Sequence, residues 1–379
     1  MRLSYKFRMY TSRKRHRLDR IVTTTTRIWN HCVAFQKTYY RLFKKHCHKF
    51  ALMKHIAKIR NRREDWRVVG SQCVEEVIKK LDWSYQVFFK WIKNRTGLKR
   101  GTPEFKRSSG RGGTVFRQAG WSYLGGNKVR FGKHAYKFVK SREIEGTIKQ
   151  CVLKRDAMGR FWVVFSCKKE DPVVQAAGSI NTAGFDFGLK TFLTCSDGAT
   201  IESPQFFKSG MAEIATRNRE LASKKKGSNN RRKAKHRLSR AHERIANRRQ
   251  DWFFKLAHSL CDRFDRIYFE TLNVLAMAKL WGRKISDLAF AGFLKTLKWV
   301  AYKRGKHVGQ VGKWEPTTKT CSQCGHVQGM PLSVRVFDCE GCHVSIDRDL
   351  NASLNVQRLG HQADGLGNVS HSFGYALSA

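Results

Sequence analysis

Leu3, Tyr5, Phe7 and Met9 alternate with Arg2, Ser4, Lys6 and Arg8 at the start of the chain. This period-two pattern belongs to a strand with one buried face and one basic face. A lone strand needs partners, and residues 127–141, 147–154 and 160–167 supply them, the last two joined by the turn-like Arg155-Asp156-Ala157-Met158-Gly159. The pattern predicts a small basic barrel or sheet drawn from both ends of the first 170 or so residues. Between these strands, Val74, Val77, Ile78, Leu81, Tyr85, Phe88 and Ile92 recur at helical spacing, and residues 17–57 contain few breakers, so a helical insert is expected. The Ser/Gly/Arg segment 108–113 reads as a loop ahead of the returning strands.

The second half begins after Asp171-Pro172. Residues 183–201 read as strand, tight turn, strand, turn, strand. A helical hairpin is predicted over 211–250, interrupted at Gly227-Ser228-Asn229-Asn230, followed by a short apolar strand at 266–270. Residues 286–304 form an amphipathic helix in this reading, with Ser286 as its N-cap. Residues 360–379, rich in Gly, Ser and His, are read as a disordered tail. No fixed-period repeat is evident.

Charge narrows the function. Lys and Arg number 75 against 29 Asp and Glu, a net of +46 on 379 residues, which argues against an ordinary metabolic enzyme and for a polyanionic partner. The predicted hairpin alone holds 14 Lys and Arg against 3 Glu. Apolar runs such as 288–294 fall far short of the roughly 20 residues needed to span a bilayer. The basic N-terminus lacks the apolar region of a secretory signal. The expectation is therefore a cytoplasmic protein with no membrane partner. A hydrophobic fraction of 41%, with 25 Phe and 10 Trp, is enough to build cores.

Four of the eleven cysteines have a metal-site spacing: Cys321-x2-Cys324, then 14 residues, then Cys339-x2-Cys342. Two such knuckles present four thiolates to one zinc ion and leave no open position for water, so the zinc is expected to be structural. Gly325 and Gly341, beside the second cysteine of each knuckle, are read as turn residues. Cys32, Cys47, Cys73, Cys151, Cys167, Cys195 and Cys261 lack this spacing and are expected to be buried small hydrophobes.

With so few carboxylates, their placement is informative. Asp186 sits between Phe185 and Phe187 in an apolar strand, Glu270 ends the strand Ile267-Tyr268-Phe269, and Asp349 lies at the head of a short helix running to about Leu359. Taken singly, Glu270 is a strand-end charge, and Asp347 or Asp349 is a helix N-cap. Together, acids at strand ends and a helix start can converge on magnesium, and two such ions about 4 Å apart activate water at a phosphodiester.

GFDFGLKTFLTCSDG from Gly184, KKKGSNNRRKAKHRLSRAHERIANRRQD from Lys224, FETLNV from Phe269, TTKTCSQCG from Thr317 and DRDLNASLNV from Asp347 resemble, in this order, the TnpB family. GTPEFKRSS from Gly101 and KSREIEGTIK from Lys140 also resemble that family's N-terminal half. Its members are transposon-encoded RNA-guided DNA endonucleases related to type V CRISPR effectors. The resemblance implies a multidomain α/β chain. A RuvC-like, RNase H-type nuclease domain (173–312 and 346–359) would carry an inserted four-cysteine zinc ribbon (313–345). A wedge-like β-barrel (1–10 and 100–172) would carry a helical recognition insert (11–99). It assigns Asp186, Glu270 and Asp349 as catalytic acids holding two magnesium ions, with Asp347 assisting at most. One departure is Phe254, where relatives often carry histidine.

The implied partners are a guide RNA with a structured scaffold and double-stranded target DNA cut next to a short flanking motif, with a monomer favoured. Lys14, Arg15, Arg27, Lys54, Arg60, Arg62 and Arg63 in the helical insert, and Lys224, Lys225, Lys226, Arg231, Arg232 and Lys233 in the hairpin, are the nucleic-acid-binding candidates. A non-cleaving RNA-guided DNA-binding regulator and a DNA-joining transposase are the alternatives. The presence of all three acids disfavours the first, and the zinc ribbon disfavours the second.

Overall fold

The computed structural model describes residues 2–10, 14–95, 99–108, 110–171, 180–189, 191–272, 277, 282, 287–312, 314–331 and 334–365. The chain divides into two compact units, Met1–Asp171 and Pro172–Ala379.

In the first unit, β1 (Arg2–Arg8) buries Leu3, Tyr5 and Phe7 and exposes the alternate residues. It is followed by four helices, α1 (Arg15–Phe43), α2 (Lys49–Arg62), α3 (Glu64–Arg67) and α4 (Ser71–Asn94). Then come β2 (Gly112–Phe116), β3 (Trp121–Tyr123), β4 (Lys128–Phe131), β5 (His134–Lys137), β6 (Thr147–Arg155) and β7 (Phe161–Lys168). The antiparallel order β1-β7-β6-β2 brings the start of the unit against its end, with Leu3 opposite Cys167 and Tyr5 opposite Phe165. The segment 127–141, expected to supply a partner for the first strand, is the hairpin β4-β5 within a second sheet, β3-β4-β5. An isolated bridge between Met9 and Phe138 links the two sheets.

The helical insert contains a break the pattern does not announce. Lys44 ends α1 in the left-handed conformation (φ 55), and His48 caps α2. The buried Gln36 side chain accepts from Cys47 N at 3.1 Å and donates to Cys47 O at 2.8 Å, satisfying the backbone that leaves the helix. Helix α1 is fastened to the sheet by Arg155, whose buried guanidinium donates to Asp19 Oδ1 at 2.8 Å and to Gly110 O at 3.0 Å.

In the second unit, β8 (Thr182–Phe187), β9 (Thr191–Cys195) and β10 (Thr200–Glu202) form the antiparallel meander expected from the sequence. The hairpin follows as α5 (Phe206–Ala222) and α6 (Asn229–Arg263), with Ser228 capping α6, then β11 (Arg266–Phe269), α7 (Phe290–Lys303) and β12 (His307–Gln310). Ser286, the expected N-cap of α7, lies outside the described residues. Two short strands, β13 (Val336–Asp338) and β14 (Ser345–Asp347), lead into α8 (Arg348–Ala363). The helix therefore continues to Ala363, so 360–363 do not belong to a disordered tail; residues 366–379 lie outside the described ones.

The sheet order is β10-β9-β8-β11-β12, with β11 parallel to β8 and β12. Strand alternation sorts its two faces. Ala183, Phe185, Phe187, Ile267 and Phe269 pack with Phe253 and Leu260 of α6 and Phe290, Phe293 and Leu297 of α7. The other face, carrying Gly184 and Tyr268, meets α8 closely enough to require glycine at two of the contacts. A Cβ at Gly184 would lie 2.1 Å from Ser353 O, and one at Gly360 would lie 2.2 Å from the Tyr268 ring. Gly184→Ala is accordingly expected to destabilise the chain by about 3 kcal/mol or more, because backbone rather than a flexible side chain must yield. An unchanged denaturant midpoint would contradict this close packing.

Candidate metal centres and basic surface

Strand register carries two of the three singled-out acids, Asp186 and Glu270, to one end of the sheet. Phe185 pairs with Phe269 across the parallel strands, so the next residue on each strand is Asp186 and Glu270. Phe185 and Phe269 face α6 and α7, so Asp186 turns to the α8 side. Asp349 stands in the first turn of α8, which packs on β8. Asp347 is held apart in a different role: as the N-cap, its Oδ1 accepts from Asp349 N and Leu350 N, both at 2.9 Å.

Asp186 is buried, 7% exposed, and its carboxyl is pushed well above the usual carboxylate range. Burial is the main cause, followed by the charges of Glu270 and Asp349, with Arg348 opposing. Burial also raises Glu270. Asp349 is flanked by Arg348 Nη2 at 3.4 Å and Arg335 Nη1 at 3.7 Å. A hard divalent cation would relieve the mutual repulsion by which Glu270 and Asp349 raise Asp186. Oxygen-only donors suit magnesium or manganese rather than a soft metal. Arg348 and Arg335, not singled out from the sequence, supply part of the countercharge; their only signal was the position of Arg348 between the two aspartates of DRDLN.

The four cysteines converge. Their sulfurs all lie within 4.8 Å of one another, with Cys321 Sγ 3.6 Å from Cys342 Sγ and Cys324 Sγ 3.5 Å from Cys339 Sγ. Tetrahedral zinc thiolates at about 2.3 Å from the metal would sit about 3.8 Å apart, so the set fits zinc. Each knuckle is closed by backbone bonds, Gly325 N to Cys321 O at 3.0 Å and His343 N to Cys339 O at 2.9 Å. The residue after the second cysteine is left-handed in both, Gly325 at φ 78 and His343 at φ 57. Gly341 therefore does not provide the turn; it makes room, since a Cβ there would lie 3.1 Å from the His326 side chain. At Cys339, burial would raise the thiol, but hydrogen bonds from the Cys342 and Gly341 backbone and the neighbouring sulfurs bring it down to about 6. The other seven cysteines are all buried, and desolvation pushes Cys32 and Cys73 up to about 12, as inert core thiols should be.

The basic candidates divide. Lys14, Lys54 and Arg62 are exposed, whereas Arg60 donates to Val69 O at 2.8 Å, Arg15 bonds Gly159 O at 3.1 Å, and Arg27 and Arg63 flank Asp65. In the hairpin, Lys224, Lys225, Lys226, Arg232 and Lys233 are exposed, but Arg231 is structural, donating to Leu221 O at 2.7 Å and Lys224 O at 2.8 Å. Among the described residues, no helix is long and apolar enough to cross a membrane.

Solved structures share this fold. A chain in a cryo-EM structure of the Cas12f1-sgRNA-target DNA complex matches with a TM-score of 0.57 at 16% identity, over 89% of this chain and 81% of that one. The mini-RNA-guided endonuclease CRISPR-Cas_phi3 matches with a TM-score of 0.54 at 10% identity, over 95% and 92%. The likeness is one of fold, and the chain carries within it a four-cysteine cluster that could hold a metal ion. Residues 164–280 match the family described as "Probable transposase", and residues 290–356 match the "Cas12f1-like, TNB domain". A Streptomyces pristinaespiralis protein named "Putative RNA-guided DNA endonuclease" is 34% identical over 57% of this chain and 54% of its own length. TnpB-like protein L79 of Acanthamoeba polyphaga mimivirus is 28% identical over 59% and 46%, and InsQ of Escherichia coli (strain K12) is 24% identical over 80% and 77%. The chain is thus similar to TnpB-like proteins, and it spans about half the length of the first two of these relatives.

Proposed function

We propose that this chain is an RNA-guided, magnesium-dependent DNA endonuclease of a transposable element, with Asp186, Glu270 and Asp349 as its catalytic acids. The observation that carries the reading is the register. Adjacent parallel strands put Asp186 and Glu270 side by side, and Asp349, in the first turn of the helix seated on Gly184, is near enough for its charge to raise Asp186. The three acids would hold two magnesium ions, which when bound supply an activated water and stabilise the leaving oxygen. Asp186 contributes the most buried charge, Glu270 its neighbour on the next strand, and Asp349 a third carboxylate kept in place by Arg335 and Arg348. The thiolate site holds structural zinc and takes no part in the chemistry.

In this reading, residues 1–10 and 100–172 form the wedge-like module, 11–99 the recognition insert, 173–312 and 346–359 the RuvC-like nuclease domain, and 313–345 the zinc ribbon. The exposed hairpin lysines and arginines grip the scaffold of a guide RNA. Base pairing selects double-stranded target DNA, while the protein reads a short flanking motif and the shape of the hybrid. A single copy of the chain acts with its RNA.

The test is to purify the chain from its host, sequence what RNA comes with it, and assay that complex on matched DNA with magnesium and with a chelator. A discrete RNA and magnesium-dependent cutting are expected; no discrete RNA, or binding without cutting, would overturn the reading. Affinity for duplex DNA should also fall by about a thousandfold or more between 50 and 200 mM salt, because six or more neutralised phosphates release their counterions. Glutamine at Lys224, Lys225 and Lys226 should flatten the salt dependence of RNA binding by roughly 0.7 in slope for each phosphate no longer neutralised.

A further inference from the structure

Asn351 and Asn355 lie one turn apart on α8 and are completely buried, 0% and 1% exposed. Buried amides need partners, and apolar side chains would pack in their place at less cost. Both asparagines bind the segment that delivers the first zinc knuckle. Asn351 Nδ2 donates to Thr320 O at 2.8 Å and its Oδ1 accepts from Ser322 N at 2.9 Å, gripping the backbone on both sides of Cys321. Asn355 Nδ2 donates to Thr317 O at 2.9 Å and to Thr320 O at 2.6 Å. Leu354 of the same helix packs with Cys321, Cys339, Phe337 and Ile346. The ribbon also reaches the head of α8 from its other end, where Arg348 N donates to Arg335 O at 2.8 Å and Arg348 Nη1 to Val334 O at 2.9 Å. Asn351 is two residues from Asp349.

The geometry points to Asn351 and Asn355 as positioning residues that carry the state of the four-thiolate site to Asp349. With the thiolates closed, the backbone from Thr317 to Ser322 is a fixed anchor and the first turn of α8 is fixed with it. With the thiolates open, that turn loses its anchor. The far end of α8 keeps its own attachments, Gln357 Nε2 to Thr182 O at 3.0 Å and His361 Nε2 to Thr182 Oγ1 at 2.5 Å. The effect should therefore be confined to the turn that bears Asp349. The consequence for cleavage rests on the nuclease reading above; the mechanical coupling does not.

Hydrogen exchange on the full chain tests the coupling directly. Stripping zinc with a chelator should speed exchange of the amides of residues 349–353 by about tenfold or more, while amides 357–361 stay protected. Unchanged exchange at 349–353, or equal loosening of both ends, would overturn the inference. Asn355→Ala, loaded with zinc and the RNA that purifies with it, should release zinc faster to the chelator. It should also need about tenfold more magnesium for half-maximal cutting, the usual scale of an outer-shell loss, with RNA affinity unchanged. Should it fold poorly, Asn355→Ser, which keeps a hydrogen-bonding group, should recover part of both losses. Faster zinc release with an unaltered magnesium requirement would mean a merely structural role and overturn the inference. Wild-type chain that does not cut at all would instead overturn the nuclease reading, leaving exchange to decide the coupling.

Discussion

Replacing Asp186 by alanine or asparagine is expected to lower magnesium-dependent DNA cleavage by about a thousandfold or more, leave RNA binding intact, and raise the melting temperature of the metal-free chain. The loss in rate follows from removing the most buried of the three proposed ligands, since about 4 kcal/mol of transition-state stabilisation corresponds to about a thousandfold. The gain in stability follows from the raised carboxyl of Asp186. A carboxyl whose folded value lies above its unfolded value binds its proton more tightly in the folded chain. Its ionisation therefore costs stability progressively as pH rises from the ordinary carboxylate range through the raised value, and in full above it. Asparagine has no charge to desolvate at this place, so the variant should melt higher at neutral pH, and its stability should fall less as pH rises. Magnesium should reverse the order by stabilising wild type and not the variant, because it binds only the folded, charged site. Thermal melts with and without magnesium, beside a cleavage assay, check all three; undiminished cutting, or a metal-free variant that melts below wild type, would refute the assignment.

The acids were legible because the sheet enforces a period of two. Once Phe185, Phe187, Ile267 and Phe269 are recognised as one apolar face, Asp186 must point the other way and Glu270 must follow the same alternation. The helix bearing Asp349 was legible as a short helix running to about Leu359, and the choice between its two aspartates came from family resemblance; the structure gives Asp347 the cap. Other features depend on contacts between segments distant in sequence. The break after Phe43 carries neither Gly nor Pro and exists because Gln36 satisfies Cys47 from eleven residues away. The extension of α8 to Ala363 is favoured by Gly360 seated on Tyr268 and by Asp364 accepting from Tyr268 Oη at 2.7 Å and Arg266 Nη1 at 2.8 Å, none of which local composition reveals. Asn351 and Asn355 stand in a motif that gives them no role, because a buried amide looks like any polar residue until its partners are known. Individual basic residues were the least legible: Arg60 and Arg231 carry the same charge as their neighbours but spend it on backbone carbonyls.

Cys339→Ser, or stripping zinc from wild type, is expected to unfold the ribbon while sparing the sheet core. The ribbon's described strands are only three residues each, and its own apolar core comes down to Phe337 and Ile346 beside the cysteines and Leu354. So small an apolar core cannot by itself order about thirty residues, and the free energy of zinc binding becomes folding free energy for such a module. The core clustered around Phe185, Phe269 and Phe293 contains none of the four ligands and should keep its cooperative melt. Limited proteolysis should then cut within 313–345 in the stripped or substituted chain and leave the zinc-loaded chain whole, with one zinc per chain by elemental analysis. Cys195→Ser is the matched control: its thiol is buried in the sheet core and pushed up to about 12, chiefly by desolvation, so its loss should leave zinc content unchanged. Resistance of the stripped chain to cutting would mean that β13, β14 and their few apolar contacts suffice alone, and that the thiolates are not what folds this module.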